Sequence, residues 1–172
     1  MKANLATALI GTAAAALLAA APLAAEEPTP EQAPETASVT AAADAFFAAL
    51  RSEDKTALAR QMLPEGVIFI HNRMKPDAPR VDVVPVAKHL ERWASSPEDL
   101  DEVMAMQTVL VDRDMAQVWG PYRFMVRGET THCGINSLSL VKTESGWKVA
   151  NTSFTMEPAS ECARLGAPED GE

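Results

Sequence analysis

Residues 115–156 read MAQVWGPYRFMVRGETTHCGINSLSLVKTESGWKVANTSFTM. Alternating β-branched and aromatic residues predict three strands here, at 115–127, 131–142 and 147–156. Gly128-Glu129 and Glu144-Ser145-Gly146 are short polar turns, so the strands should run as an antiparallel meander. A further strand is predicted before them at 100–111, joined through the corner Asp112-Arg113-Asp114.

Upstream the pattern is mostly helical. Val39, Ala43, Phe46 and Leu50 recur at helical spacing, with Phe47 widening the stripe and Ser38 placed to cap, which predicts a helix over 39–51. Asp54 can cap a second, shorter helix carrying Leu58 and Met62, and Pro64 ends it. VIFIHN at 67–72 has strong β propensity. Val67, Phe69 and His71 share one face of that strand, taken as the inward one, and Ile68, Ile70 and Asn72 share the other. Residues 73–80 hold two prolines and read as a loop. Pro85 suits the first turn of a third helix, in which Val86, Leu90 and Trp93 form the buried face. The expected fold class is α+β: a cone of three N-terminal helices packed on a strongly curved, mainly antiparallel sheet.

The flanks divide the chain. Residues 1–25 have a basic start at Lys2, an Ala/Leu run and small residues before Glu26, and read as a secretory signal peptide rather than a membrane anchor. Residues 26–37, EEPTPEQAPETA, are acidic and Pro-rich and read as a disordered linker. The folded domain is expected over 38–162, with a flexible tail over 163–172. The expected location is periplasmic or secreted, with no membrane contact after cleavage. The formal charge of −9 becomes −10 once Lys2 is removed, which argues against nucleic acid and anionic membrane surfaces as partners. Two cysteines in an oxidising compartment predict a Cys133–Cys162 disulfide. Counting back from the 144–145 turn puts Cys133 opposite Met156, so the tail must fold back, and Pro158 is where it can.

Candidate site residues follow from strand parity. His71 reads either as a general base or polar anchor, or as a hydrogen-bonded core or rim histidine. Pro121 lacks a ladder donor, so the run Trp119 to Phe124 is bulged or at an edge. Tyr122 can then donate into a cavity and Arg123 hold an anionic group, or Trp119 and Tyr122 are core or interface aromatics and Arg123 pairs with a surface acid. His132 and Asn136 share a face with Gly134, either lining the cone or facing solvent or a dimer partner. His132 and Cys133 point to opposite faces, which argues against a Cys–His nucleophile. Catalytic candidates are His71, Tyr122 and His132. Ligand-binding candidates are Trp93, Trp119, Tyr122, Arg123 and Asn136. No metal-ligand spacing, phosphate loop or dinucleotide fingerprint is present, so neither metal nor cofactor is expected.

The order of elements resembles the nuclear transport factor 2-like superfamily, with its ketosteroid-isomerase-like and polyketide-cyclase-like members. The resemblance covers about 38–157. It rests on the helical pair before VIFIHN, the Pro85-started helix with Trp93, and the hairpin INSLSLVKTESGWKVA with its Gly146-Trp147-Lys148-Val149 turn. TTHCGINSLSLV and WGPYRF look like an exported branch of unassigned function. The isomerase-like members imply a Tyr and an Asp acid in an oxyanion hole plus an Asp base. This chain offers Phe46 and Phe47 on the first helix and His71 and Asn72 at the end of the first strand, so the resemblance does not extend to that chemistry. The function expected is an exported small-ligand-binding or scaffold domain for a small apolar or mixed-polarity molecule, working as a homodimer. The competing expectation is a small cofactor-free lyase, isomerase or cyclase acting on a hydrophobic substrate. There His71 would be the base, with Tyr122 and Asn136 polarising a carbonyl.

Overall fold

The computed structural model of the chain describes residues 32–96 and 99–169. The predicted signal peptide and the first half of the predicted linker lie outside them. Helix α1 (Gln32–Arg51) starts ahead of the expected cap at Ser38, so 32–37 is helix rather than linker. Pro34 falls in the first turn, where a missing N–H is no loss, and Glu35 complements the positive helix end. Ser38 Oγ donates to the Glu35 carbonyl (2.9 Å) and accepts from Trp147 Nε1 (3.1 Å), which ties the helix to the last strand. Val39, Ala43, Phe46, Phe47 and Leu50 are buried, as their spacing predicts. A single 3₁₀ stretch (Lys55–Arg60) follows, capped by Asp54 through Thr56 N–H at 3.0 Å.

Strand β1 (Val67–Asn72) pairs antiparallel with β2 (Arg80–Pro85), an edge strand that the sequence reading did not assign. Its valines Val81 and Val83 lie on the outer face and are exposed, so no core-facing alternation announced it. Helix α2 (Val86–Trp93) begins directly after Pro85. The expected strand 100–111 is broken into β3 (Leu100–Met104) and β4 (Thr108–Asp112), both paired with β5 (Met115–Val126). Met104 lies opposite Tyr122 and Thr108 opposite Trp119, so one extra residue is accommodated between them. Gly120 allows it: a Cβ there would stand 1.8 Å from the Ala105 carbonyl oxygen.

Strands β6 (Glu129–Thr143) and β7 (Gly146–Pro158) complete the meander. The sheet order is β2-β1-β7-β6-β5-β3, with β4 also on β5. The β1–β7 pair is parallel and the others antiparallel, so this seven-stranded curved sheet is mixed. The core lies between α1 and the inner face, around Val118, Leu138, Leu140 and Val149.

After Pro158 the chain does turn back, through a 3₁₀ turn (Ala159–Glu161) into α3 (Cys162–Leu165). Cys133 and Cys162 are joined, with Cα atoms 5.6 Å apart. A bulge at Ser139/Leu140 shifts the β6–β7 register, so Cys133 faces Glu157 rather than Met156. The segment expected to be a flexible tail after Cys162 continues in α3, with Leu165 and Ala167 against the disulfide.

Candidate functional site

Strand parity decides what faces the helices. On β1, Ile68 is buried and Phe69 exposed, so Ile68 and Ile70 face inward and Val67, Phe69 and His71 face out. This reverses the expected orientation. His71 Nε2 meets Ser153 Oγ at 3.1 Å on the outer face of the sheet, away from the helices. Trp119 is likewise outside and 47 % exposed. Arg123 points outward too, donating from Nε to the Pro168 carbonyl (2.5 Å) and from Nη1 to Thr130 Oγ1 (2.9 Å). The anion-holding role read for Arg123 is therefore taken by the C-terminal segment. His71 and His132 lie on opposite faces, so no metal site forms between them. Among the described residues no cluster of three or more His, Cys, Asp or Glu is placed to hold a metal.

Between the helices and the inner face lies a cavity of about 200 Å³. Trp93, Tyr122, His132 and Asn136 line it, so four of the seven named candidates come together. Phe46, Leu50 and Met62 close it from the helical side, and Ile68, Phe154 and Met156 from the sheet. Glu102, His89 and Thr152 also line it, and the sequence reading passed over all three. Each left a signal. Leu100, Glu102 and Met104 alternate on one strand face, which sets a carboxyl between two apolar residues. His89 falls within the Val86–Trp93 helical stripe.

Glu102 is the electrostatic centre. Asn136 Nδ2 donates to its Oε1 at 2.9 Å. Burial pushes its carboxyl up to about 8; the Asn136 hydrogen bond and Arg51 pull the other way, and Asp101 adds to the rise. At neutral pH the group is mostly protonated, and with Oε1 accepting from Asn136 the proton sits on Oε2.

His132 stacks on Phe124 (centroids 4.9 Å, 24°) and meets the Tyr122 ring edge-on (5.9 Å). Burial pushes its imidazole down to about 4, so it is neutral at pH 7. A bulge makes Thr131 the extra residue of β6, and its hydroxyl donates to the Phe124 carbonyl (3.3 Å). Thr131 Oγ1 lies 2.9 Å from His132 Nδ1, and the tautomer in which Nδ1–H donates to it leaves the lone pair on Nε2. His89 stacks near Trp93 (5.6 Å), and burial followed by the charge of Arg92 lowers its pKa.

Tyr122 has a different duty from the one expected. It is 1 % exposed, and its hydroxyl donates to the Thr155 backbone carbonyl at 2.8 Å. The β6–β7 ladder is interrupted here, between the pairs Cys133–Glu157 and Asn136–Phe154. Two side chains repair it: Tyr122 satisfies the Thr155 carbonyl, and Thr155 Oγ1 accepts from the Ile135 N–H (2.9 Å). Gly134 makes the close approach possible, because a Cβ would lie 1.9 Å from Thr155 O. Burial, then the charges of Glu102 and Glu157, hold the Tyr122 phenol well above its usual range. Its proton is committed to the sheet and not offered to the cavity.

A helix over a curved mixed sheet is also the architecture of known structures. A protein of unknown function from Silicibacter pomeroyi matches with a TM-score of 0.56 at 15% identity, over 73% of this chain and 98% of its own. The fold is that of the nuclear transport factor 2-like proteins. Within that fold, a candidate dehydratase from Streptomyces avermitilis matches with a TM-score of 0.58 at 19% identity, over 74% of this chain and 98% of its own. A ketosteroid isomerase-like protein from Erwinia carotovora atroseptica matches with a TM-score of 0.53 at 21% identity, over 71% of this chain and 95% of its own. At these identities the nuclear transport factor 2-like likeness is one of fold. No protein-family profile and no curated protein matches the chain in sequence.

Proposed function

We propose that the chain is an exported small-molecule-binding domain that holds its ligand in the cone cavity and works as a homodimer. The observation that carries the reading is the cavity itself. It has aromatic and aliphatic walls, with Glu102, His132 and Asn136 gathered on the sheet side, the composition of a ligand pocket. Export is supported by the character of residues 1–25 and by the disulfide. Among the described residues no helix is long and apolar enough to cross a membrane. The homodimer is supported by apolar side chains on the outer sheet face, with Phe69, Val81 and Val83 at one end and Leu110, Met115 and Trp119 at the other. Native mass spectrometry of the chain recovered from its producing cell, compared with the denatured sample, tests all parts. The expected result is a dimer of leader-free chains, two daltons lighter per chain than the reduced form, carrying a small molecule. Intact leaders, monomers and no bound mass would overturn it.

A second reading, a small lyase, isomerase or cyclase, is favoured by one observation. Glu102 and His132 line the same cavity with their acid–base order inverted, the carboxyl holding its proton and the imidazole free of one. His71 is no longer its base and Tyr122 no longer its donor. In this reading His132 Nε2 accepts a proton and Glu102 Oε2–H donates one. Turnover would follow a bell, rising through about pH 4 and falling through about pH 8. A candidate substrate turned over with a profile flat across the upper limb would remove Glu102 from the chemistry.

A further inference from the structure

The cavity is apolar in its walls but not in its hydrogen-bonding capacity. Three of its lining residues carry a buried polar atom without a partner among the described residues: Trp93 Nε1, Asn136 Oδ1 and Thr152 Oγ1. Asn136 and Thr152 are each 4 % exposed, and a buried polar group left alone is destabilising. Trp93 Nε1–H can only donate, Asn136 Oδ1 can only accept, and Thr152 Oγ1 does either. Glu102 Oε2–H adds a donor and His132 Nε2 an acceptor.

None of these groups brings a charge at neutral pH. Glu102 holds its proton, and His132 and His89 have none to spare, for the reasons of burial given above. Two cations stand outside the lining: Arg51, which donates to the Glu102 backbone carbonyl (2.9 Å) and pairs with Asp101 (3.6 Å), and Lys55, whose Nζ lies 5.8 Å from the Trp93 ring centroid. An ion placed here would exchange water for walls that offer no counter-charge. Size sets the other limit. An apolar cavity of roughly 150 Å³ takes benzene, and this one of about 200 Å³ takes a ring with a substituent.

We infer that the cavity selects an uncharged, single-ring-sized molecule that presents a hydrogen-bond donor and an acceptor together, a primary amide, a hydroxy-ketone or the like. The inference rests on the cavity being the binding site and adds which chemistry it takes. The acceptor side of the ligand meets Trp93 Nε1–H or Glu102 Oε2–H, and its donor side meets Asn136 Oδ1 or His132 Nε2.

Four probes of one shape separate these statements: benzamide, toluene, benzoate and benzylammonium. Each is titrated near neutral pH into the purified chain carrying ¹³C-methyl methionine. Met62 and Met156 in the wall report occupancy, and exposed Met115 is the control. The expected result is that benzamide binds at least tenfold tighter than toluene and than either ion. An advantage below tenfold over toluene, or an ion that binds as well as benzamide, overturns the inference and leaves the cavity reading standing. If no probe moves Met62 or Met156, the cavity reading falls and the inference with it.

Discussion

Glu102→Gln should make the protein less sensitive to alkali, and by a calculable amount. Burial raises the Glu102 carboxyl from its ordinary 4.5 to about 8. Below about pH 4.5 the folded and unfolded chains both hold the proton, so the group adds no pH dependence. Between there and about pH 8 the unfolded chain releases the proton and the folded one keeps it, so stability falls as pH rises. Above about pH 8 both are ionised and the loss levels off. The slope is about 1.4 kcal/mol per pH unit, and the full excursion corresponds to about 5 kcal/mol at most. Glutamine keeps the acceptor for Asn136 Nδ2 and a donor in place of Oε2–H, and it cannot ionise. Urea unfolding of both chains from about pH 5 to about pH 9, taken as a difference, cancels the other titrating groups. The difference should grow in favour of glutamine across that range. A difference that stays constant within error would show that Glu102 ionises as freely folded as unfolded, and would refute the account of a buried, protonated acid.

Tyr122→Phe leaves the Thr155 carbonyl without its hydrogen bond and should cost about 1 to 3 kcal/mol, read from the urea midpoint at unchanged slope. An effect near zero would mean that the interrupted ladder closes by itself. Reduction of Cys133–Cys162, which spans 29 residues, should cost about 3 to 4 kcal/mol, measured by unfolding with and without dithiothreitol. His71→Ala should leave the benzamide affinity within about twofold, since the side chain sits on the outer face against Ser153, whereas His132→Leu should weaken it at least several-fold. The reverse order would return His71 to the site.

Much of the frame was legible because it is periodic. The stripe of Val39, Ala43, Phe46 and Leu50 and the hairpin turn at Gly146 could be placed without coordinates, and so could the partner of Cys133. What failed was whatever depends on a single extra residue or on which face of a strand turns inward. One inserted residue opposite Gly120 split 100–111 into two strands, and another, near Ala150, moved Cys133 by one position. VIFIHN is apolar on both faces, so its parity was visible and its orientation was not, and His71 followed the wrong set. Glu102 was missed for a related reason: an acid in a strand ordinarily faces water, and only the cover built by α1 and α2 makes it a half-buried proton carrier.

The repair at Gly134 limits how this protein can change. No other side chain fits at 134, because of the Thr155 oxygen, and Tyr122 cannot be exchanged without baring that oxygen. Tyr122, Gly134 and Thr155 are therefore fixed as a unit, and any one of them mutated alone is penalised. The opposite wall is free of this bond. Phe46, Leu50 and Met62 touch the cavity only by packing, and volume-conserving apolar exchanges at such positions cost little. Drift in ligand preference, natural or engineered, is thus directed to the helical side, while the sheet side keeps its chemistry.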